Sequence, residues 1–198
     1  MEINRIEYKV VLPNKFLFFN KIRFKYNTFQ IYPARKVNSL YFDTNNFDLY
    51  KMSKNGELKR FKVRTRWYDQ DLKHRNLEIK SKNGIITKKN SEKIQSDKLI
   101  INKNIFKMKI QYFGNLFYPK SLVSYERNYF YFNGINLSID RKIKYFDKNL
   151  NSKKTNITVL EFKFQKNKIS FVKKIISEMN FTQSKYSKYV NSIDYLYS

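Results

Sequence analysis

Short segments in which apolar and polar residues alternate recur along the chain. Such segments, rich in β-branched and aromatic residues and bounded by polar turns, are typical of half-buried β-strands. Alternate side chains of a strand point to opposite faces, so each segment predicts one apolar face and one polar face. The predicted strands are Arg5–Leu12, Val37–Asp43, Leu58–Tyr68, Leu77–Lys82, Val123–Phe132, Ile135–Ile143 and Thr158–Phe164.

A second pattern, with apolar residues every three or four positions, predicts helices. It covers about residues 14–26 and 168–179, and it returns from about Ser184, where Tyr189, Ile193 and Leu196 share this spacing. Residues 91–113 fit neither pattern throughout, and we expect them to be partly helical. No linker or repeat divides the chain. The sequence therefore predicts one α+β domain over residues 1–198, dominated by antiparallel strands.

The most charged predicted strand contains Arg60, Lys62, Arg64 and Arg66. These cations alternate with Phe, Val, Thr and Trp residues, so the strand is cationic on one face and mostly apolar on the other. Arginine is the scarcer cation of the chain, and its planar group can bind two phosphate oxygens at once. The face indicates a phosphate-binding site; for any single strand, a solvent-exposed sheet face is the ordinary alternative.

Mixed, mainly cationic faces recur in other predicted strands. They carry Glu7 with Lys9, Glu78 with Lys80 and Lys82, and Glu161 with Lys163. If the apolar faces pack against helices, the charged faces must line the inside of a closed sheet. The glutamates are unexpected in a groove that follows nucleic-acid phosphates. They suit a divalent ion that bridges phosphates, or else they form ordinary Glu–Lys pairs.

Composition narrows the choice of partner. The formal net charge of +25 favours a polyanion such as nucleic acid, an anionic membrane or a phosphate-rich small molecule. The absence of cysteine excludes disulfides and thiolate metal sites, and the one histidine, His74, is expected in a surface loop. Without a Gly-rich phosphate loop or a second histidine, P-loop and phosphohistidine chemistries are disfavoured. No apolar run is long enough to cross a bilayer and no signal-peptide pattern is seen, so we expect a cytoplasmic protein.

Seven motifs, in one order along nearly the whole chain, resemble those of a known family. They are Arg5-Ile6-Glu7-Tyr8-Lys9, Ser39-Leu40-Tyr41-Phe42-Asp43-Thr44, Val63-Arg64-Thr65-Arg66-Trp67-Tyr68, Leu77-Glu78-Ile79-Lys80, Tyr125-Glu126-Arg127, Val159-Leu160-Glu161-Phe162-Lys163 and Ser184-Lys185-Tyr186-Ser187-Lys188-Tyr189. In these motifs the sequence resembles the VTC-type polyphosphate polymerases of the triphosphate tunnel metalloenzyme (CYTH-like) superfamily.

The resemblance implies an eight-stranded antiparallel β tunnel with a cationic lumen, flanked by helices. It implies that ATP and polyphosphate are the partners and that the γ-phosphate of ATP is transferred to the chain, with Mn²⁺ or Mg²⁺ held by Glu161 and Glu7. Catalytic roles fall to Lys80, Arg127, Lys185 and Lys188. Phosphate binding falls to Lys9, Arg60, Lys62, Arg64, Arg66, Lys82, Tyr125, Lys163 and Ser187.

Two positions depart from the family pattern. Asn136 stands where a basic residue is usual, and Lys88-Lys89-Asn90 lacks an expected Arg near its end. Arg5 replaces the first glutamate that hydrolytic tunnel enzymes carry, which favours a polymerase over a triphosphatase. A triphosphatase on the same fold and a nonenzymatic protein that binds nucleic acid or polyphosphate are the alternatives.

Overall fold

The computed structural model describes residues 6–13, 17–83, 86–95, 103–112 and 114–197. In these residues an antiparallel sheet of ten strands combines with four α-helices and two 3₁₀ turns. The strands are β1 (Ile6–Pro13), β2 (Phe29–Asp43), β3 (Lys59–Tyr68), β4 (His74–Asn83), β5 (Ile86–Gln95), β6 (Ile110–Tyr112), β7 (Asn115–Phe132), β8 (Ile135–Phe146), β9 (Ser152–Lys154) and β10 (Ile157–Phe164). The helices are α1 (Leu17–Tyr26), α2 (Asp48–Lys54), α3 (Ile169–Glu178) and α4 (Lys188–Tyr197), and the 3₁₀ turns are Lys103–Lys107 and Lys166–Lys168. The expected α+β class is confirmed.

Eight strands follow one another in the order β1-β10-β8-β7-β2-β3-β4-β5, while β6 pairs with β7 and β9 with β8. This agrees with the eight-stranded antiparallel sheet implied by the resemblance. Within the described ranges, β1 and β5 end the order and no pairing joins them, so the sheet is open there.

Each predicted strand is present, but some are longer than the alternation indicated. β2 begins at Phe29 rather than Val37. The sequence did not predict its first eight residues, because all of them are exposed and the alternating pattern appears only where one face of a strand is buried. Region 91–113 holds the end of β5, a 3₁₀ turn and β6, among its described residues. Helix α2 was missed because its seven residues are too short to show a helical period.

The chain divides into two compact units, each assembled from several segments. Unit 1 comprises Met1–Arg35, Tyr125–Ile143 and Thr155–Tyr186. Unit 2 comprises Lys36–Ser124, Lys144–Lys154 and Ser187–Ser198. The expectation of a single domain stays a prediction.

Unit 1 buries the apolar face of its strands against two helices. Phe162 of β10 and Leu137 of β8 are register partners, and they belong to one buried cluster with Ile22 of α1 and Val172 of α3. Burial of apolar side chains of this size contributes about 1.5–3 kcal/mol each. Because side chains alternate along a strand, the polar residues of the same strands lie on the opposite face. The expected packing of apolar strand faces on helices is confirmed in unit 1.

Unit 2 pairs β2 with β3, β3 with β4 and β4 with β5. One face of these strands is apolar and buried, with Leu40, Val63 and Trp67 each 0% exposed. Helix α4 is held by polar contacts from elsewhere in the unit: Tyr50 of α2 donates a hydrogen bond to Asp194 at 2.5 Å. This contact joins the second half of α4 to α2.

In the described parts of the chain, no helix is both long enough and apolar enough to span a membrane.

Candidate phosphate-binding site

The strand register of unit 2 collects cations on the polar face of β3 and β4. Arg60 lies opposite Lys82, and Lys62 lies opposite Lys80. Residues directly opposite in an antiparallel pair share a face, with Cβ atoms about 4.5–5.5 Å apart. The set, named here the β3–β4 cation face, consists of Arg60, Lys62, Arg64, Arg66, Lys80 and Lys82, with Glu78 as its one carboxylate.

Glu78 holds the two central arginines of this face. Its Oε2 accepts a hydrogen bond from Nε of Arg64 at 2.7 Å, and Nη2 of Arg64 is 2.6 Å away. Nη1 of Arg66 lies 3.7 Å from the same oxygen. Glu78 is 3% exposed, and Arg66 is 8% exposed. The buried Arg66 and the partly buried Arg64 therefore contact the same carboxylate.

The motif Ser39–Thr44 shapes this face from β2, because Ser39, Tyr41 and Asp43 share one side of the strand. Ser39 Oγ accepts a hydrogen bond from Arg66 Nε at 3.1 Å, and Tyr41 Oη accepts one from Arg64 Nη1 at 3.0 Å. Asp43 accepts hydrogen bonds from the backbone N–H groups at the start of α2. The motif thus orients both arginines and anchors a helix.

The phenol of Tyr41 reports the electrostatic potential at the face. Burial by itself would raise the pKa of Tyr41, but the positive charges of Arg64 and Arg66, the hydrogen bond from Arg64 and the charge of Lys188 together lower this pKa below its ordinary value. A field that favours a phenolate also favours a phosphate oxygen.

Helix α4 begins at the same face. Tyr189 stacks on Tyr41 with ring centroids 5.2 Å apart, and its hydroxyl donates a hydrogen bond to Asp43. Ser187 caps the helix, since its Oγ accepts a hydrogen bond from the backbone N–H of Val190 at 3.3 Å. Lys62 Nζ donates to the same oxygen at 2.7 Å.

The expected start of this helix at about Ser184 is wrong, because the capping residue is Ser187 and the first helical residue is Lys188. Lys185 lies in the irregular segment before the helix and is exposed. Lys185 and Lys188 therefore do not share a helix face. The backbone of Ser184 is bonded to β1 instead of to a helical turn, since the Ser184 N–H donates to Lys9 O at 2.7 Å.

In unit 1, Arg127 is locked by a buried carboxylate. Its Nε and Nη2 atoms donate to the two oxygens of Asp140 at 2.5 and 2.7 Å, and Nη2 lies 3.5 Å from Glu161. Burial by itself would lower the pKa of Arg127, but Asp140, Tyr125 and Glu161 outweigh it and hold this pKa well above the ordinary value. Tyr125 lies with its ring centroid 5.3 Å from the guanidinium carbon. Arg127 is thus a fixed, permanent cation.

The polar face of β1 and β10 lies in the same unit. Glu7 is opposite Lys163, and Lys9 is opposite Glu161. Lys163 Nζ lies 3.2 Å from Glu161 Oε1, and Lys9 Nζ donates to the backbone oxygen of Tyr186 at 3.1 Å. Cations and carboxylates thus alternate here, in contrast to the β3–β4 cation face.

The residues present fit a divalent ion only in part. Among the described residues, no group of three or more His, Cys, Asp or Glu side chains could hold a metal. Glu161 has a cation near each carboxylate oxygen, and Glu7 is its diagonal neighbour across β1 and β10. A Mg²⁺ ion bound to phosphates takes only one or two carboxylates from the protein. Glu161 and Glu7 therefore fit an ion whose other ligands come from phosphates.

Both departures have a structural context. Asn136 is the register partner of Lys163 and lies on the polar face of unit 1. Asn90 pairs with Ile79, whereas Lys89 pairs with Lys80. Position 90 therefore belongs to the apolar side of β4, so an Asn there removes no cation from the β3–β4 cation face. Arg5 lies outside the described residues.

Sequence reasoning missed Asp140, which neutralises Arg127, and the anchoring role of Asp43. Both positions carry a signal in retrospect: Asp140 has the same strand parity as Asn136 and Ser138, and Asp43 has that of Ser39 and Tyr41. The sequence prediction that cations of both units line one cavity stays a prediction, as do the individual roles assigned to the site residues.

Comparison with solved structures agrees with this fold. A protein from Bacillus halodurans, described as a candidate adenylate cyclase, superposes with a TM-score of 0.59 at 14% identity, covering 100% of this chain and 98% of that chain. The PH1819 protein from Pyrococcus horikoshii OT3 gives 0.56 at 15% identity, with 96% and 99% covered. HpAC1 from Hippeastrum, described as having a dominant triphosphatase activity, gives 0.55 at 14% identity, with 96% and 95% covered. At these identities the likeness shows the fold.

The fold that the chain shares with these neighbours is an antiparallel sheet combined with helices. No curated protein matches the chain. A model of the VTC domain family matches residues 4–197, and the protein belongs to that family. The resemblance carried by the seven sequence motifs is thereby confirmed.

Proposed function

We propose that this protein is a polyphosphate polymerase that transfers the γ-phosphoryl group of ATP to the end of a growing polyphosphate chain. One observation carries the proposal: in a chain of the VTC domain family, β3 and β4 place six cations and one carboxylate on a single face. Such a face suits a ligand that consists of successive phosphates, because each phosphate brings a negative charge of its own.

In this reaction a terminal oxygen of the acceptor chain forms a bond to the γ-phosphorus of ATP. The bond between that phosphorus and the oxygen bridging to the β-phosphate breaks, ADP leaves, and the chain grows by one phosphate. Phosphate oxygens are largely ionised near neutral pH, so the attacking oxygen needs no general base. The protein's task is to position the two phosphates in line and to offset their repulsion.

The central arginines are suited to that task before substrate arrives. Glu78, Ser39 and Tyr41 hold Arg64 and Arg66 by the contacts described above, so little reorganisation is needed when phosphates bind. Lys80 and Lys188 would add point charges near them, and Arg127, Lys163 and Lys9 would supply phosphate contacts in unit 1. Triphosphate tunnel relatives generally use divalent metals; Glu161 and Glu7 would hold Mn²⁺ or Mg²⁺, which neutralises charge on phosphate oxygens.

Triphosphate hydrolysis is the second candidate, because the structurally similar HpAC1 is described as a dominant triphosphatase. Three of the buried carboxylates are each in contact with a cation: Glu78 with Arg64, Asp140 with Arg127 and Glu161 with Lys163. Nearby positive charge lowers the proton affinity of a carboxylate, which makes it a weak base toward water. This arrangement favours phosphate over water as the acceptor.

The test is to incubate the purified protein with ATP and Mn²⁺, to resolve the products on a gel stained for polyphosphate, and to measure orthophosphate in parallel. We expect a ladder of lengthening chains that is abolished in Lys80→Gln and retained in Lys51→Gln, an exposed lysine of α2. Orthophosphate release without chain growth would identify a triphosphatase. A filter-binding assay measures whether the protein retains RNA when polyphosphate is added as competitor. Retained RNA would identify a nonenzymatic nucleic-acid-binding protein.

A further inference from the structure

A cavity lies in unit 1, between the turn that joins β7 to β8 and the 3₁₀ turn that follows β10. Its volume is about 310 Å³. Among its lining residues, only Lys163 was assigned to phosphate binding above. The polar part of the lining comprises Tyr131, Asn136, Lys163, Gln165, Asn167 and Lys168. This lining contains two lysines and no carboxylate, so it is positively charged.

The strand register places the cavity at the end of the polar face of unit 1. Asn136 is the partner of Lys163 across β8 and β10. Asn133 and Gly134 form the two-residue turn, with φ angles of 46° and 77°. This turn geometry puts Tyr131 of β7 opposite Asn136. Tyr131, Asn136 and Lys163 therefore lie side by side on the face that also carries Arg127.

Lys168 reaches the cavity from the 3₁₀ turn and is held there by the β7–β8 turn. Its Nζ lies 3.4 Å from Asn133 Oδ1. A Cβ atom at Gly134 would lie 3.4 Å from Lys168 Cε, at van der Waals distance, so the lysine stem packs against this turn. A half-buried, positioned lysine loses less conformational entropy on binding an anion than a free surface lysine does.

The lining chemistry indicates a small anion with several acceptor oxygens. The ammonium groups of Lys163 and Lys168 supply charge, and the amides of Asn136, Gln165 and Asn167 supply neutral N–H donors. Glu161 takes up part of the charge of Lys163, at 3.2 Å. Lys168 therefore brings the additional charge that a further phosphate needs.

We infer that this cavity binds a phosphate group of the polyphosphate chain beyond the length of a triphosphate, with Lys168 as its main cation. The inference rests on the proposed function, since it takes Lys163 as a contact of the same chain. A chain held at Lys163 extends into the cavity, because Lys163 is one of its lining residues. A triphosphate bound at Arg127 ends short of the cavity, because Tyr131 lies four residues, about 13 Å, beyond Arg127 on β7.

The test compares Lys168→Gln with Lys166→Gln, an exposed lysine of the same 3₁₀ turn that does not line the cavity. The probes are long-chain polyphosphate, tripolyphosphate and orthophosphate, with affinities measured by calorimetry without metal. Loss of one charge-assisted hydrogen bond costs about tenfold in affinity. We expect Lys168→Gln to weaken long-chain binding by about tenfold and tripolyphosphate binding by less than about twofold, and Lys166→Gln to change neither beyond about twofold. Asn136→Lys should tighten long-chain binding.

Equal losses in the two glutamine variants, or equal losses for long chain and tripolyphosphate, would overturn the inference. So would orthophosphate binding that depends on Lys168, because the cavity would then serve free phosphate. The gel assay for chain growth decides the proposed function separately. If the protein lengthens polyphosphate but the two variants bind long-chain polyphosphate with equal affinity, the proposed function stands and this inference is wrong. If the protein binds no polyphosphate, both the proposed function and this inference are wrong.

Discussion

Replacing Asp140 by Asn should destabilise unit 1 by a measurable and calculable amount. Asp140 is 0% exposed and accepts two hydrogen bonds from Arg127, at 2.5 and 2.7 Å. Asparagine keeps the shape but offers one acceptor oxygen and turns an N–H₂ group toward the guanidinium. Removing one partner of a buried ion pair costs about 3–5 kcal/mol. Glu161, 3.5 Å from Arg127, retains part of the compensation, so we expect about 3 kcal/mol.

The free energy of unfolding is measured by urea titration followed through tryptophan and tyrosine fluorescence. For a protein of this size, a loss of about 3 kcal/mol lowers Tm by roughly 6–12 °C. Glu126→Gln is the matched control, because Glu126 pairs with Lys142 across the same two strands at 2.8 Å on an exposed surface. Exposed pairs contribute about 0–1 kcal/mol.

Phosphate should stabilise Asp140→Asn more than it stabilises the wild type, since Arg127 in the variant lacks its carboxylate. Tripolyphosphate added to both proteins before unfolding measures this difference. If Asp140→Asn and Glu126→Gln each lower the free energy of unfolding by less than about 1 kcal/mol, Arg127 does not depend on a buried partner. Asp140 would then not be the group that locks Arg127 in unit 1.

Three further predictions concern the other site residues. Arg66→Ala should weaken tripolyphosphate binding by about tenfold or more while costing about 1 kcal/mol of stability, because Glu78 keeps its contacts with Arg64; a large Tm loss with unchanged binding would contradict this. The pKa of Tyr41 lies below its ordinary value and should rise once tripolyphosphate offsets the neighbouring cations. The measurement is the tyrosinate absorbance difference between wild type and Tyr41→Phe. An unchanged titration would mean that the phosphate does not bind at this face. Glu161→Gln should lower the rate of phosphoryl transfer by orders of magnitude, and high Mn²⁺ should restore part of that rate. Nucleotide binding measured without metal should change little. Wild-type rates across a metal titration would exclude Glu161 as a metal ligand.

The sequence by itself determined which side chains share a strand face. Alternation is a local property of extended backbone, so the separation of Arg64 and Arg66 from Val63 and Trp67 needs no knowledge of neighbouring strands. The order of the seven motifs along the chain also needs no tertiary information, and it indicated the family.

Tertiary structure decided which group neutralises which cation. The partner of Arg127 depends on the register of two strands, and the contact between Lys62 and Ser187 joins residues 125 positions apart. The same holds for the lowered pKa of Tyr41, because Coulomb energies depend on distances and burial that only packing fixes. It also decided where α4 begins: Ser187 caps the helix, and the backbone of Ser184 is bonded to Lys9 of β1, so the helical spacing that starts at Ser184 in the sequence is not used until Lys188.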